Sequence, residues 1–385
     1  MKVWLSDMIL TSFFYLFRIF PIKRNKIVLT SYLGKGYGDN GKYIVEALLR
    51  RKKKYDIVWL AKNTEEKFPK GIRVVRYRSI KSIYEQVTAK IWIDNRRKPN
   101  FVRKRNNQCY IQTWHGNMAL KKLEKDVESS LDPRYVAAAK NDSKMLDIFL
   151  SGSSWETNCI RNAFWFDKNI QEIGYPRQDP FANEQKRLSE KIRKAYDLPS
   201  DTKILLYAPT FRQSRDEKSL SVYSLNWSSV LNALEQRFGG KWVGMIRLHP
   251  NVSDLVDKLN IPNNVYSVTE YNDMQELVAG CNCLITDYSS TVMEAGVAGK
   301  IGLIFATDFE EYQKDRDVYL DIRDDLPFPF SDNNEQLVHN ILNFDQQKYE
   351  KELHHFLYDF YGCVCNGDAS DKVCDIIDNV IANKA

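Results

Sequence analysis

A histidine between a tryptophan and a glycine is the residue of this sequence best suited to do chemistry. His115 stands in the stretch QTWHGNMALKK and is one of only five histidines in 385 residues. Its imidazole titrates near neutrality and suits proton transfer, and a glycine just after a strand end exposes the ring. The alternative is a core histidine whose nitrogens are satisfied internally. Lys121 and Lys122, just beyond, are candidate contacts for an anionic substrate.

Similar chemistry follows two strands in the C-terminal half of the chain. Open α/β sheets bind ligands beyond the carboxyl ends of their strands, so the residues after each strand matter most. YAPTFR provides Thr210 and Arg212, and RLHP provides Arg247 and His249. The two-residue period of a strand puts Arg247 and His249 on one side, where they form a plausible cradle for a diphosphate.

A third loop of this half, ITDYSSTVME, combines hydroxyls with a helix start. Ser289 and Ser290 can form an anion site from hydroxyls, backbone N–H groups and the helix dipole. Glu294, one turn into the helix, can accept ribose hydroxyls. The alternative needs no ligand, because Thr291-x-x-Glu294 also fits a capping box.

The glycine-rich stretch GKGYGDNG, residues 34–41, follows the first strand. It matches the dinucleotide fingerprint literally, but that site needs an acid at the end of the next strand, where Lys62 and Asn63 stand. Two interpretations stay open: a flexible turn into a helix, or a site for an anionic acceptor. The contacts of that acceptor site would be Lys35, Asp39 and Asn40.

The elements that must position these residues form two sets. Short apolar runs alternate with amphipathic stretches, which is the pattern of parallel α/β sheets. The first set of strands is expected at Ile27–Ser31, Ile57–Leu60, Ile91–Ile93, Tyr110–Gln112 and Ile148–Leu150. The second is expected at Ile204–Tyr207, Trp242–Leu248, Val265–Val268, Cys283–Ile285 and Ile301–Phe305. We predict α/β domains at residues 26–177 and 178–385, with C-terminal helices that close the second domain or cross back to the first.

Residues 1–25 are expected to form a membrane-interface helix. The apolar core Met8–Phe17 spans roughly 15 Å as a helix, against roughly 30 Å for a bilayer core, so it cannot cross. A basic cluster follows it, as an interfacial helix on anionic lipid requires. The alternative is a helix packed on the protein's own core.

Composition and charge exclude several classes. Hydrophobic residues at 43% and charged residues at 28% are ordinary globular usage, which excludes a disordered chain and a multi-span membrane protein. Residues 1–110 hold 26 Lys and Arg against 8 Asp and Glu. That basic surface suits anionic lipid, a polyanionic substrate or nucleic acid, but no nucleic-acid-binding signature is present.

The cysteines indicate a reducing compartment. Seven is an odd count and no secretory signal precedes them. A zinc site from Cys363, Cys365, Cys374 and either His354 or His355 departs from the usual Cys-x₂₋₄-Cys spacing. We therefore predict no metal site at these residues and no cofactor, while the metal dependence of a reaction stays open.

Eight motifs resemble, in order, those of the CDP-glycerol glycerophosphotransferase family of teichoic acid and capsule synthesis. They are SYLGKGYGDNGKYIVEAL, QTWHGNMALKKLEKD, GSSWETNCIRNAF, GYPRQDPF, YAPTFR, RLHP, TDYSSTVMEAG and DFEEYQKDRDVYLD. The resemblance covers residues 25–325 and implies a GT-B-like α/β fold, in which two Rossmann-like domains with parallel sheets face each other across a cleft. It also implies a peripheral enzyme at the cytoplasmic face of the cell membrane.

The activity implied by the resemblance is transfer of glycerol phosphate or ribitol phosphate from a CDP-polyol, with release of CMP. The acceptor would be a hydroxyl of a lipid-linked saccharide or polyol-phosphate chain. By resemblance, His115 is the catalytic base that deprotonates this hydroxyl. His249 binds the donor diphosphate and acts in catalysis by helping to stabilise the departing CMP. Donor contacts are implied for Arg212, Ser289 and Ser290, with Asp287 orienting their loop and Glu294 near the ribose.

Two other functions remain open at this stage. Glu294-Ala295-Gly296 is similar to GT-B glycosyltransferases that use nucleotide sugars. A non-catalytic membrane-surface module would explain the basic half, but gives no reason for His115 and His249 to follow strands. Binding of a CDP-polyol rather than a UDP- or GDP-sugar would separate these possibilities.

Overall fold

The computed structural model divides the chain into two compact units. It describes residues 2–116, 120–212, 223, 225–248, 252, 259, 261–314 and 317–382, without the side chains of residues 2–5, 313 and 314. The first unit comprises residues 1–115, 123–179 and 364–385, and the second comprises residues 116–122 and 180–363.

The first unit is built on a parallel sheet. Its strands are β1 (Lys23–Thr30), β2 (Asp56–Ala61), β3 (Arg73–Arg76), β4 (Ala89–Asp94), β5 (Cys109–Gln112), β6 (Ile148–Ser151) and β7 (Asn169–Glu172). They are ordered β3-β2-β1-β4-β5-β6-β7, with every neighbouring pair parallel. The order reverses between β1 and β4, which is the switch point of a Rossmann-type sheet.

Helices cover this sheet. They are α1 (Lys2–Leu16), α2 (Asp39–Arg50), α3 (Ile80–Thr88), α4 (Pro133–Met145) and α5 (Ser154–Ala163). The next helix, α6 (Asp179–Asn183), begins at the last residue of segment 123–179 and lies mostly in the second unit. Short 3₁₀ turns lie at Phe17–Ile19, Glu124–Ser130 and Pro176–Gln178. Side chains cap several helix starts, as Ser79 does for α3 and Ser153 for α5, because the first N–H groups of a helix lack internal partners.

The second unit repeats the same topology. Its strands are β8 (Lys203–Tyr207), β9 (Trp242–Ile246), β10 (Val265–Ser267), β11 (Cys283–Thr286), β12 (Ile301–Phe305) and β13 (Phe330–Ser331). The order is β10-β9-β8-β11-β12-β13, again parallel throughout. Its switch point lies between β8 and β11.

The helices of the second unit lie mostly between these strands and after them. They are α7 (Gln185–Ala195), α8 (Trp227–Phe238), α9 (Met274–Gly280), α10 (Thr291–Val297), α11 (Phe309–Lys314), α12 (Asn334–Leu342) and α13 (Gln346–His354). A π-helical turn, His355–Phe360, follows α13 directly. The helix α14 (Ala369–Ala382) ends the described chain and belongs to the first unit.

The predicted α/β class with two parallel sheets is confirmed. Every predicted apolar run lies in or at the end of a strand, because strands buried on both faces are continuously apolar. The strands β3, β7 and β13 were not predicted. They are short edge strands, and β3 (RVVR) and β7 (NIQE) carry polar residues on their exposed side, which weakens the apolar signal.

The last helix differs from the predicted domain division. The sequence analysis drew the second domain as residues 178–385, with C-terminal helices that close it or cross back to the first; α14 packs into the core of the first unit. Its buried side chains Val373, Cys374 and Ile377 join the core formed by α2 and the sheet. On its other side, Asp375 and Asp378 pair with Arg51 at 2.7 and 2.8 Å. An apolar stripe beside an acidic one therefore fixes where this helix docks.

The N-terminal helix α1 packs on the first unit along one side only. Phe14 is fully buried against the rings of Trp92 and Phe101, at centroid distances of 6.5 and 6.3 Å. Thr11 Oγ1 donates to the Phe101 carbonyl at 3.1 Å. Large apolar side chains on the remaining surface of α1 and its 3₁₀ turn stay exposed: Met8, Ile9, Tyr15, Leu16, Ile19 and Phe20. Within the described residues, no helix has the length and apolar content needed to cross a bilayer.

Replacement of Ile377 by Ala is expected to destabilise the first unit by about 2–4 kcal/mol, because this fully buried side chain would leave a cavity between α14 and α2. Urea denaturation measures the effect. The exposed Asn379 on the same helix provides the control, since its replacement by Ala should change stability by less than about 0.5 kcal/mol. Equal effects of the two substitutions would contradict the docking of α14.

Candidate active site

Several residues selected from the sequence lie in loops at or beside the switch points of the two sheets. In the first unit, the loops after β1, β4 and β5 leave the carboxyl edge of neighbouring strands, and His115 is in the loop after β5. In the second unit, the loops after β8 and β11 do so, and they carry Thr210 and Ser290. Open α/β sheets bind their ligands at this place.

His115 is held in one tautomer by a backbone carbonyl. Its Nδ1 lies 2.7 Å from the carbonyl oxygen of Asn95, in the loop after β4. A carbonyl oxygen can only accept, so Nδ1 carries the proton and the neutral ring keeps its lone pair on Nε2. Arg96 Nη1 lies 3.3 Å from that Nε2. The ring therefore presents a basic nitrogen whose resting partner is a guanidinium.

The backbone beside His115 is strained and held by buried side chains. Trp114 has φ of 53°, a left-handed conformation that is costly for a bulky residue. Gln112 Oε1 accepts from the Trp114 N–H at 3.0 Å, and Asn40 Nδ2 donates to the Trp114 carbonyl at 3.1 Å. Tyr32 and Asp39, on the neighbouring loop, also have positive φ. Such strain persists only where the surroundings determine the conformation, and it accompanies functional sites.

A buried ionic network supports the same loop from below. Arg97 is 7% exposed and donates to Glu124 Oε2 at 3.0 Å and to Asp142 Oδ2 at 3.1 Å. Its guanidinium also lies 6.0 Å from the Trp114 ring. Because two carboxylates and further hydrogen bonds satisfy this charge, Arg97 serves as a fixed support and is not open to a ligand.

Two of the predicted acceptor contacts in the first unit have a different role in the structure. Asp39 and Asn40 are buried, at 5% and 0% exposure. Asp39 accepts from Tyr32 OH at 2.5 Å and from Arg177 Nη1 at 3.1 Å. Direct contact with an acceptor is therefore not supported for this pair, whose polar atoms hold the loops around His115. Lys35, the third predicted contact, is exposed.

The surroundings of His115 lower its pKa to about 4. Burial is the main cause, and the positive charge of Arg96 adds to it, while Asp39 and the Asn95 carbonyl act in the opposite direction. The imidazole is therefore neutral at pH 7. A general base must be unprotonated before it can accept a proton, so this environment suits that role.

In the second unit, the guanidinium of Arg212 is held by two carboxylates, and its contact with the donor phosphates stays a prediction. Its guanidinium donates to Asp287 Oδ2 at 2.8 Å and to Asp308 Oδ2 at 2.7 Å. The ring of Tyr288 lies 4.9 Å from it. With two carboxylates around one cation, the local charge is negative, which disfavours a diphosphate. Arg212 instead holds Asp287, at the start of the loop that carries Ser289 and Ser290. Asp287 was expected to orient this loop.

The hydroxyls of the second unit are better placed for an anion. Thr210 donates its N–H to Asp287 Oδ1 at 2.8 Å, while its Oγ1 makes no hydrogen bond to the described part of the chain. Ser289 Oγ lies 2.8 Å from Thr291 Oγ1, and Ser290 is the N-cap residue of α10 without a side-chain cap bond. The proposed capping box is wrong, because α10 starts one residue earlier and Glu294 is bonded elsewhere.

Two of the remaining residues predicted to contact the donor, Glu294 and Arg247, make hydrogen bonds within the protein. Glu294 is 4% exposed and accepts from Gln275 Nε2 at 3.1 Å, so it lies beneath the loop surface. Arg247 Nη1 donates to the Tyr271 carbonyl at 2.5 Å. His249 lies outside the described residues. Ribose contact by Glu294 and diphosphate contact by Arg247 and His249 stay predictions.

Lys121 and Lys122, which follow Trp114-His115-Gly116 in the sequence, belong to the second unit. Residues 120–122 pair with residues 317–319: Lys122 N–H donates to the Asp317 carbonyl at 3.1 Å, and Tyr319 N–H donates to that of Leu120 at 3.0 Å. Lys121 Nζ lies 5.5 Å from the Tyr312 ring, and Lys122 Nζ lies 4.0 Å from Asp317. Their contact with an acceptor also stays a prediction. No cluster of potential metal ligands occurs in the described portion of the molecule.

Sequence reasoning missed the loop after β4, which carries Asn95, Arg96 and Arg97. The signal was present, since the polar run DNRRK directly follows the apolar strand IWI and precedes a proline. Asp308, which holds Arg212, and Arg177, which holds Asp39, were also missed as functional supports. Their partners are distant in sequence, so no local pattern reveals these pairs.

The pKa of His115 makes stability depend on pH. Because the folded-state pKa is about 4 and the unfolded value about 6.5, the unfolded chain binds this proton more tightly. The resulting stabilisation is complete above pH 6.5 and is lost as pH falls towards 4. Between pH 7 and 4.5, we expect the wild type to lose about 2 kcal/mol more than His115→Asn in urea denaturation. Parallel losses in the two proteins would contradict the lowered pKa.

Comparison with known proteins identifies the family of this chain. A profile of the family described as CDP-Glycerol:Poly(glycerophosphate) glycerophosphotransferase matches residues 12–379. The chain is 34% identical over 369 residues to the teichoic acid poly(glycerol phosphate) polymerase of Staphylococcus epidermidis, covering 92% of this chain but only 51% of that relative. It is 28% identical to the teichoic acid glycerol-phosphate transferase of Staphylococcus aureus, covering 92% and 93% of the two chains.

A solved structure extends the likeness to three dimensions. The wall teichoic acid polymerase TagF is similar with a TM-score of 0.83 and 32% identity, over 97% of this chain and 94% of that one. The expected two-domain, Rossmann-like GT-B-type fold is thereby confirmed. The names of the relatives describe glycerol-phosphate and ribitol-phosphate polymerases and primases of teichoic acid synthesis. Motifs, fold and matched length together show that the chain belongs to the CDP-glycerol:poly(glycerophosphate) glycerophosphotransferase family.

Proposed function

We propose that this protein transfers glycerol phosphate or ribitol phosphate from a CDP-polyol to a hydroxyl of a lipid-linked acceptor in teichoic acid synthesis. The observation that carries the proposal is the neutral His115 imidazole, whose protonated Nδ1 is bound to the Asn95 carbonyl and whose Nε2 keeps its lone pair. Family membership supplies the reaction class.

The proposed step balances as an in-line displacement. The acceptor hydroxyl oxygen bonds to the phosphorus that carries the polyol, and its proton passes to His115 Nε2. The bond between that phosphorus and the bridging oxygen breaks, and CMP leaves with the electron pair. A base must act on the nucleophile while N–H and O–H donors stabilise the charge on the leaving phosphate.

The donor phosphates are proposed to bind the hydroxyl-rich loops of the second unit. Thr210 Oγ1, with no bond to the described residues, and the hydroxyls of Ser289 and Ser290 follow strands at the switch point. The clamp of Arg212 between Asp287 and Asp308 keeps these two loops in register. Arg247 and His249 complete the proposed contacts.

We further propose that α1 attaches the enzyme peripherally to the cytoplasmic face of the membrane. Leu16 and Ile19 are 56% and 76% exposed on the surface of α1 and its 3₁₀ turn that does not pack on the unit. The exposed Lys23 and Arg24 follow, where they would meet anionic headgroups. The basic first unit would also favour a phosphate-rich acceptor near that surface.

Incubation with CDP-glycerol or CDP-ribitol and a lipid-linked acceptor is expected to release CMP. His115→Ala should lower the rate at least about 10²-fold, because the hydroxyl loses its base. Thermal shift should show stabilisation by one CDP-polyol and none by UDP- or GDP-sugars. Stabilisation by a nucleotide sugar alone would contradict polyol-phosphate transfer, and full activity of His115→Ala would remove that residue from the base role.

Membrane attachment is expected to depend on the exposed apolar side chains of α1. The double substitution Leu16→Glu and Ile19→Glu should reduce co-sedimentation with anionic phospholipid vesicles at least about tenfold, since each buried apolar side chain contributes about 1.5–3 kcal/mol. Leu342→Glu, at another exposed position, is the control and should sediment like the wild type. Unchanged binding of the double variant would contradict the attachment site.

A further inference from the structure

The guanidinium of Arg96 has an unusual combination of neighbours. It is exposed, it has no carboxylate partner among the described residues, and Nη1 lies 3.3 Å from His115 Nε2. The arginines Arg97 and Arg177, by contrast, are buried and paired with carboxylates. Arg96 therefore keeps its full charge beside the nitrogen that the reaction requires.

A second donor of the same loop, the side-chain amide of Asn95, makes no hydrogen bond to the described residues. Asn95 is 1% exposed, and its Oδ1 accepts from the Tyr32 N–H at 2.7 Å, which fixes the orientation of the amide. Its Nδ2 is buried and makes no hydrogen bond to the described residues. A buried donor without a partner is destabilising, and an external acceptor atom would satisfy it.

The contact between Arg96 and His115 cannot persist during the reaction. A lone pair that accepts from a guanidinium N–H cannot at the same time accept the proton of a substrate hydroxyl. Something must draw Arg96 away from Nε2. An oxyanion does so best, because an arginine–phosphate hydrogen bond joins two charges, whereas its bond to the neutral imidazole joins only one.

We propose that Arg96, with Asn95 Nδ2, binds a phosphate of the acceptor next to the attacking hydroxyl and thereby frees His115 Nε2. The proposal rests on the proposed function and names its substrate class: an acceptor that already ends in a polyol-phosphate unit, whose phosphate lies a few bonds from the free hydroxyl. A neutral saccharide end leaves Arg96 on the base. Arg96 is thus a binding residue that couples recognition of the acceptor to availability of the base.

The kinetic test compares two lipid-linked acceptors, one ending in a neutral saccharide and one carrying a single added polyol-phosphate unit. The wild type should prefer the phosphate-bearing acceptor. Arg96→Gln should raise KM for that acceptor at least about tenfold and leave KM for the CDP-polyol unchanged. The rate with the neutral acceptor should not fall, because the guanidinium that occupies His115 Nε2 is gone. Arg96→Lys should keep part of the affinity that Arg96→Gln loses, because lysine retains the positive charge but lacks the planar guanidinium that binds phosphate through two N–H groups.

The matched control is Arg50→Gln, which removes the same charge from an exposed position at the opposite end of α2 from Asp39. It should behave like the wild type. Equal losses of Arg96→Gln on both acceptors, or an increase in KM for the CDP-polyol alone, would overturn the assignment to the acceptor. Absence of CMP release by the wild type with every donor and acceptor would instead reject the proposed function.

A binding measurement tests the proposed phosphate site of Arg96 and Asn95 without catalysis. The charged groups around His115 are Arg96 and Arg177, which lower its pKa, and Asp39, which raises it. Saturation with glycerol 3-phosphate, followed by NMR titration of the histidine rings with His115→Asn for assignment, should raise the His115 pKa in the wild type. In Arg96→Gln, the ligand-free pKa should already be higher and the ligand-induced rise smaller. An unchanged His115 resonance on addition of glycerol 3-phosphate to the wild type would overturn the proposed phosphate site.

Discussion

The hydrogen bond between His115 Nδ1 and the Asn95 carbonyl determines what this site can do. It joins two loops that leave adjacent parallel strands, β4 and β5, and its 2.7 Å length depends on their register, in which Asp94 pairs with Gln112. The N–H of Thr113 donates to the Asp94 carbonyl at 2.9 Å and continues that register beyond the strands. The tautomer, and with it the basic Nε2, is therefore a consequence of sheet pairing.

The arginines near the candidate site have different roles because their surroundings differ. Arg97 and Arg212 each lie between two carboxylates, so their charges are consumed in holding loops. Arg177 fixes Asp39 in the same way. Arg96 is exposed and next to a neutral imidazole, so its charge can act on a ligand. Charge balance, more than residue type, separates the supporting arginines from the binding one.

The two units share one strand order but carry different side chains at the reversal of that order. In both, the sheet order reverses beside the first strand, and the loops at that reversal carry the candidate site residues. The first unit places a strained, aromatic loop there, with Trp114 at φ of 53°. The second places hydroxyls and helix N–H groups there, held by the Arg212 clamp. The proposed proton transfer and the proposed phosphate binding thus fall on loops of matching position.

The sequence by itself determined the α/β class, most of the central strands and the family, and it selected His115 as the candidate base, because continuous apolar runs and short motifs are local signals. It could not show that Asp39, Asn40 and Arg212 are consumed by internal bonds, or that α14 belongs to the first unit. It also passed over Asn95 and Arg96. Those outcomes depend on partners far away in the chain, such as Arg177 for Asp39 and Asp308 for Arg212, and only folding brings such pairs together.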